Sequence, residues 1–196
     1  MVLRIILFLS LFTNISLLSA QWTQKANAPV TPRRNTTGFS INGKGYLVLG
    51  GLNSTSPTHY QDLQEYDLMN GTWSTKTSFP GTARRGGVAA FNDTMVIVGM
   101  GWDNSTVFKD LYRYFPSTDT WVSITNYPGS GGREVFAVIA NGKLYMGAGE
   151  SGITNFYNDF WEFNFSTNTW TQKNNIPFSS RFSGVYFSHG NNIYFG

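Results

Sequence analysis

Cysteine is absent from the 196-residue chain, and this absence removes several kinds of chemistry. Without cysteine there is no disulfide framework, no thiolate metal site and no cysteine nucleophile. Histidine is nearly as scarce, since the chain has His59 and His189 alone, in unlike sequence contexts. No metal-ligand spacing, Ser-His-Asp arrangement or phosphate-binding loop is present, so we expect neither a metal centre nor a cofactor.

Charge is scarce as well. Lysine and arginine number 14, aspartate and glutamate 11, and the net charge is +3. The basic residues do not gather into a tract or patch of the kind that follows a phosphate backbone. The composition therefore disfavours nucleic acid as a partner.

Long apolar runs are missing after the first 20 residues. Residues 1–20 carry one positive charge, Arg4, then an apolar stretch from Ile5 to Phe12, and they end on the small residue Ala20. This order is typical of a secretory signal peptide. An uncleaved anchor is the alternative, but the stretch is short for a bilayer span. We expect a secreted, periplasmic or cell-surface protein with no membrane span after cleavage.

A repeat of about 50 residues dominates the remaining chain. Its tryptophans are spaced by 51, 48 and 49 residues: Trp22, Trp73, Trp121 and Trp170. Arginines are spaced by 51, 48 and 48: Arg34, Arg85, Arg133 and Arg181. An aspartate lies 11 residues before each of the last three tryptophans: Asp62, Asp110 and Asp159. Several residue types in one register indicate a repeat architecture.

Each unit is predicted to contain four strands. The first is apolar at nearly every position, as in 135–140, which is typical of a strand buried on both faces. Asn42-Gly43 and Asn141-Gly142 then predict tight hairpins, because both turn residues need positive φ. A second strand ends on glycines, a third carries an aromatic residue, and a fourth carries the tryptophan. A four-stranded unit of this length is typical of a propeller blade.

These features resemble the kelch repeat. Its glycine pair is intact at Gly50-Gly51, and the later units have spaced glycines, Gly99 with Gly101 and Gly147 with Gly149. The resemblance implies an all-β, kelch-type β-propeller of four-stranded antiparallel blades, similar to exported bacterial kelch proteins and to the central domain of galactose oxidase. The oxidase site is not implied, because its cross-link needs a cysteine.

Domain boundaries follow from the repeat. Residues 21–196 form the propeller, with full blades at about 34–76, 85–124 and 133–173. Partial blades are expected at 21–25, as a lone outer strand, and at 181–196. Three full and two partial blades make an unusual ring, so the sequence predicts an incomplete propeller.

Candidate binding residues lie on one predicted face, where loop lengths vary between blades and binding sites commonly occur. From the loops they are Tyr60, Trp102, Glu150, Phe156 and Tyr157. The repeated arginines Arg34, Arg85, Arg133 and Arg181 open the innermost strands and should enter this face near the central channel. They either bind a carboxylate or an acidic sugar or tie neighbouring blades together through backbone carbonyls. The scaffold role is favoured, because each blade repeats the arginine.

Two functions remain open at this point. The first is a binding module that recognises a protein or a carbohydrate through the variable loops. The second is a sugar-acting enzyme, in the style of sialic acid mutarotases, which the kelch resemblance implies. In that case Arg133, Glu134 and Glu150 are the candidates at the channel mouth. Fold alone does not choose between them.

Overall fold

A computed structural model describes residues 22–52, 57–152, 155–181 and 183–196. The predicted signal peptide, residues 1–20, lies outside them. Within the described ranges the chain forms fourteen β-strands and no helix. In this part of the chain no helical segment has the length and hydropathy of a membrane span.

Three four-stranded antiparallel sheets follow one another, and in each the strands pair in chain order. Blade 1 contains β1 (Thr37–Ile41), β2 (Lys44–Val48), β3 (Leu63–Asp67) and β4 (Thr72–Lys76). Blade 2 contains β5 (Val88–Phe91), β6 (Val96–Gly99), β7 (Leu111–Phe115) and β8 (Thr120–Ile124). Blade 3 contains β9 (Phe136–Ala140), β10 (Lys143–Gly147), β11 (Phe160–Asn164) and β12 (Thr169–Lys173). A two-stranded sheet follows, with β13 (Tyr186–His189) and β14 (Asn192–Phe195).

The innermost strands line up side by side, because β5 packs against both β1 and β9, and β13 packs against β9. Every residue of β9 is buried, as the continuous apolar pattern predicted. Between blades 1 and 2, side chains such as Phe39, Val48 and Tyr114 form one shared core. Burial between successive sheets, rather than inside one sheet, therefore holds the blades together.

Asparagine–glycine turns close the first hairpin of blades 1 and 3. Asn42 and Gly43 have φ of 54° and 70°, and Asn141 and Gly142 have 51° and 67°. Two successive residues with positive φ match the right-handed twist of the flanking strands. The predicted hairpins are present at both places.

The tryptophans occupy equivalent second positions in β4, β8 and β12. Each indole Nε1–H donates to a backbone carbonyl in the preceding repeat. The acceptor is the residue four positions after the tryptophan of that repeat. The three bonds are Trp73 to Ala26 (2.9 Å), Trp121 to Thr77 (2.9 Å) and Trp170 to Thr125 (3.1 Å). The rings are half-buried, and their hydrogen bonds join adjacent repeats.

One predicted strand is absent. Residues 22–28 form no strand, and Trp22 is fully exposed. An outer strand needs the third strand of its blade as a hydrogen-bonding partner, and the sheet of β13 and β14 has two strands. The segment nevertheless contacts blade 1, since the Ala26 carbonyl accepts the Trp73 indole proton.

Candidate functional site

Short β-bridges extend the blades beyond their second strands and position the candidate residues. Arg34 bridges Gly51, Arg85 bridges Trp102, and Arg133 bridges Glu150. The three arginines are thus structurally equivalent, and so are the three residues that follow Gly50, Gly101 and Gly149. The backbone pairing places the residue after each glycine at the same point of its blade, but the type of that residue differs between blades.

Glycine is required just before these positions. Gly50 and Gly101 have φ of 110° and 95°. A Cβ at Gly101 would also lie 2.6 Å from the Arg85 carbonyl oxygen. The paired glycines of the repeat therefore allow the arginine segment to approach the end of the second strand.

Arg181 belongs to a different series from the one the sequence predicted. The amides of Gly50, Gly101 and Gly149 donate to the carbonyls of Arg84, Gly132 and Arg181 respectively. Arg181 is therefore equivalent to Arg84. The series Arg33, Arg84, Gly132 and Arg181 is spaced by 51, 48 and 49 residues, as the four tryptophans are. Its guanidinium lies over the Phe178 ring, 4.2 Å from the ring centre. The predicted register of Arg181 with Arg133 is wrong, because the last repeat is one residue longer there.

Two arginine–aspartate ion pairs were missed by the sequence analysis. Arg33 pairs with Asp62, and Arg84 pairs with Asp110. The same arginines donate to the carbonyls of Leu49 and Met100, at 3.3 and 3.4 Å. The scaffold role expected of Arg34 and Arg85 thus falls to the arginine before each. Prolines at the tryptophan spacing could have revealed this series: Pro29, Pro80, Pro128 and Pro177.

Six predicted residues come together in one cleft of about 620 Å³. We call it the arginine cleft and define it by Arg34, Arg85, Trp102, Asn104, Arg133 and Glu150. Its residues come from all three blades, so no single repeat contains the site. Asn104 was not predicted, because its side chain reaches the cleft only through the fold of the 103–107 loop.

Trp102 contacts two of the arginines through its ring. The guanidinium carbons of Arg85 and Arg133 are 4.5 and 4.1 Å from the Trp102 ring. A cation over an indole face is attracted by the ring's quadrupole. Trp102 therefore holds and orients two like charges, which is a different role from the free aromatic platform that a loop tryptophan suggests.

The positive charges in the cleft act on one another. Arg85 is 2% exposed, and its Nη2 donates to the Asn104 side-chain oxygen at 2.7 Å. Burial lowers the pKa of Arg85, and the nearby charges of Arg34 and Arg133 lower it further. The guanidinium stays protonated, because arginine titrates far above neutral pH. The contributions of Arg34 and Arg133 to this lowering show that like charges lie close to Arg85 in the cleft.

Two carboxylates accompany the arginines. Glu150 is 5% exposed and forms an ion pair with Arg133. Glu134 lines the same cleft and accepts a hydrogen bond from the Ser183 hydroxyl at 3.0 Å. Arg34 is exposed and has no ion pair within the described residues.

The remaining candidates lie outside the lining of the cleft. Tyr60 lies under the Arg33 guanidinium, 3.8 Å from it, and borders a separate cleft of about 470 Å³ with His59. Phe156 bridges Glu150 through its backbone and is 36% exposed. The Tyr157 hydroxyl lies 2.7 Å from the Ser151 hydroxyl. These three residues support the loops around the cleft or border its neighbour.

Metal binding finds no support among the residues described. In 22–52, 57–152, 155–181 and 183–196, no three or more His, Cys, Asp or Glu side chains are grouped so that they could hold an ion.

Comparisons with known proteins identify the fold. No protein-family model matches the chain, and neither does any curated protein. The solved structure of YjhT is similar to it, with a TM-score of 0.69 and 22% sequence identity over 87% of this chain and 59% of that one. The chain thus spans less than two thirds of the length of YjhT. The likeness, with the four-stranded antiparallel sheets, shows that the fold is a kelch-type β-propeller.

Proposed function

We propose that the chain is an exported binding module that recognises an anionic protein or carbohydrate through the arginine cleft. The observation that carries this proposal is the convergence of Arg34, Arg85 and Arg133, one from each blade, on a single cleft. Guanidinium groups bind carboxylate and phosphate oxygens through paired, charge-assisted hydrogen bonds. The mutual repulsion of the three arginines would be relieved when an anion binds.

The residue bridged to the cleft arginine varies in type between blades, and this variation also favours a role in recognition. The residue bridged to each cleft arginine is Gly51 in blade 1, Trp102 in blade 2 and Glu150 in blade 3. The backbone around it is the same, so this position changes chemistry without changing the scaffold. Such variation on a rigid framework is typical of binding surfaces.

A sugar-acting enzyme is the second candidate. Glu134 and Glu150 place two carboxylates in the same cleft as the arginines. A carboxylate near a bound sugar can take up or release a proton at a hydroxyl or at the anomeric oxygen. Binding and turnover would then use one site.

The test is a binding comparison between matched charged and neutral ligands, with the purified chain. We expect glucuronate and other acidic sugars or peptides to bind more tightly than their neutral counterparts. Arg34→Gln should weaken that binding about tenfold, by loss of one charge-assisted contact. Its melting temperature should be unchanged, because Arg34 is exposed and has no ion pair in the described part of the chain.

Arg181→Gln is the matched control, because it removes an arginine that does not line the cleft. Its ligand binding should equal that of the wild type. Equal losses in the two variants would contradict the assignment of the cleft. Proton NMR of a reducing acidic sugar would decide for the enzyme if anomer exchange accelerates with the wild type and not with Glu134→Gln.

A further inference from the structure

The three cleft arginines differ in the partner that each has. Arg34 is exposed, Arg85 donates to the neutral amide of Asn104, and Arg133 forms an ion pair with a buried carboxylate. Blades 1 and 2 have Gly51 and Trp102 where blade 3 has Glu150. Blade 3 is thus the blade in which the residue bridged to the cleft arginine carries a charge opposite to it.

Glu150 is held in place by its backbone. The Glu150 amide donates to the Arg133 carbonyl at 3.0 Å, and the Arg133 amide donates to the Glu150 carbonyl at 3.2 Å. The Gly132 amide adds a third bond to the Glu150 carbonyl, at 3.0 Å. The carboxylate is therefore tethered beside the guanidinium, at a high effective concentration that a free ligand must match.

The Arg133 guanidinium is not saturated by this pair. Its Nε–H is buried and has no acceptor among the residues that the structure describes. A buried donor without an acceptor is costly, and an anion that reached it would gain a full hydrogen bond. The Trp102 ring holds the same guanidinium from one side, which keeps it at the cleft.

We infer that Glu150 is an internal competitor, whose carboxylate occupies the anion-binding face of Arg133 and must be displaced before an external anion can use it. This inference rests on the proposed function of the cleft. An anion that binds the wild type engages Arg34 and Arg85 and reaches Arg133 only at the cost of the Glu150 pair. Glu150 thereby lowers the affinity of the cleft for small anions and favours ligands with enough other contacts to displace it.

The experiment titrates sodium sulfate into the intact chain at constant ionic strength, with chloride as the balancing ion. Calorimetry gives the affinity, and NMR of the arginine Nε–H groups reports which guanidinium responds. Glu150→Gln keeps the shape of the side chain and removes its charge. We expect it to bind sulfate at least about tenfold more tightly than the wild type, the size of effect that a close charge pair exerts on binding.

Glu134→Gln is the matched control. It removes the same charge from the same cleft, at a carboxylate that bonds to Ser183 rather than to an arginine. A general electrostatic effect would raise sulfate affinity equally in both variants. Direct competition raises it mainly in Glu150→Gln, and adding Arg133→Gln to that variant should abolish the gain.

Each outcome decides. Equal sulfate affinity in the wild type, Glu150→Gln and Glu134→Gln overturns the competitor role and leaves the binding cleft standing. Equal gains in the two glutamine variants overturn it too. Absence of sulfate binding in all proteins overturns both the inference and the anion-binding function. Melting curves exclude misfolding, and Glu150→Asp should keep wild-type affinity if it still pairs with Arg133.

Discussion

Blades 2 and 3 provide different partners for the aspartate that precedes the third strand of each blade. In blade 2 the fully buried Arg84 forms an ion pair with Asp110, donates from Nε to the Thr82 carbonyl at 2.7 Å, and lies 3.8 Å from the Phe108 ring. In blade 3 the equivalent of Arg84 is Gly132. Asp159, the equivalent of Asp110, has no ion pair within the described residues.

Neutral donors replace the guanidinium in blade 3. Asp159 Oδ2 accepts hydrogen bonds from the Trp161 indole at 2.9 Å, the Ser130 amide at 3.0 Å and the Tyr127 hydroxyl at 3.5 Å. Burial raises the pKa of Tyr127, and the charge of Asp159 raises it further, so the hydroxyl remains a donor. The other oxygen, Oδ1, is buried and accepts no hydrogen bond in the described region.

Steric crowding explains why blade 3 cannot return to the ion pair. A Cβ on Gly132 would lie 1.9 Å from the Val107 Cγ1 atom. The loop of blade 2 occupies the space that an arginine would need. The repeat therefore keeps the carboxylate and the backbone path, while neutral donors from neighbouring groups can replace the cation.

Arg84→Ala should have the largest effect on this comparison. It leaves Asp110 without its cation and opens a buried space, and breaking a buried pair in this way costs about 3–5 kcal/mol. Denaturant unfolding followed by tryptophan fluorescence gives the change in free energy of unfolding. The double variant Arg84→Ala with Asp110→Ala should recover part of the loss. A loss below about 1 kcal/mol for Arg84→Ala alone would show that the pair is not structural.

Asp159→Asn should have a smaller effect, about 1–3 kcal/mol: the amide oxygen can still accept the bonds that Oδ2 accepts and no ion pair is lost, but the amide nitrogen replaces the buried Oδ1, which has no partner in the described region. Asp110→Asn is the matched variant, and it should cost clearly more, since Arg84 would lose its counter-charge. The same unfolding measurement applies to both. Equal losses would mean that the charge of Asp159 is used in a way that its neutral donors do not reveal.

Asp119→Asn should have the smallest effect on the free energy of unfolding at neutral pH. It should change how steeply that free energy declines in acid. Partial burial raises the pKa of Asp119, but hydrogen bonds from the Tyr114 hydroxyl and the Thr77 amide outweigh it, so the pKa lies below its ordinary value. Stability from this group is present above the unfolded-state pKa and is lost as pH falls through the folded-state pKa. Unfolding measured from pH 6 down to about pH 2.5 should show a shallower decline in the variant.

Blade 3 supplies the reference for this experiment. Its Asn168 occupies the place of Asp119, and its side-chain oxygen accepts from the Thr125 amide at 3.4 Å, as Asp119 accepts from Thr77. Asn168→Asp should therefore steepen the decline in acid. An unchanged pH profile in both variants would contradict a role for Asp119 in acid stability.

The sequence predicted the parts of this molecule that depend on local chemistry. The Asn42-Gly43 turn, the buried strand β9 and the equivalent tryptophans follow from residue type and spacing alone. The Arg84–Asp110 pair did not, because its partners lie 26 residues apart in the chain and the adjacent Arg85 masked the register. In the cleft, Arg85, Trp102 and Arg133 were each predicted as candidates. Their arrangement around the indole depends on how blades 2 and 3 pack, which spacing along one chain does not encode.

The indole hydrogen bonds all run from a later repeat to an earlier one. Trp73, Trp121 and Trp170 each donate to a carbonyl that lies 44 to 47 residues earlier in the chain. During synthesis from the N-terminus, the acceptor for each new blade has therefore already left the ribosome when its tryptophan emerges. Each blade can dock as soon as it is complete, onto a template that already exists. The propeller is thus suited to vectorial assembly, in which a late error costs one blade and leaves those already formed intact.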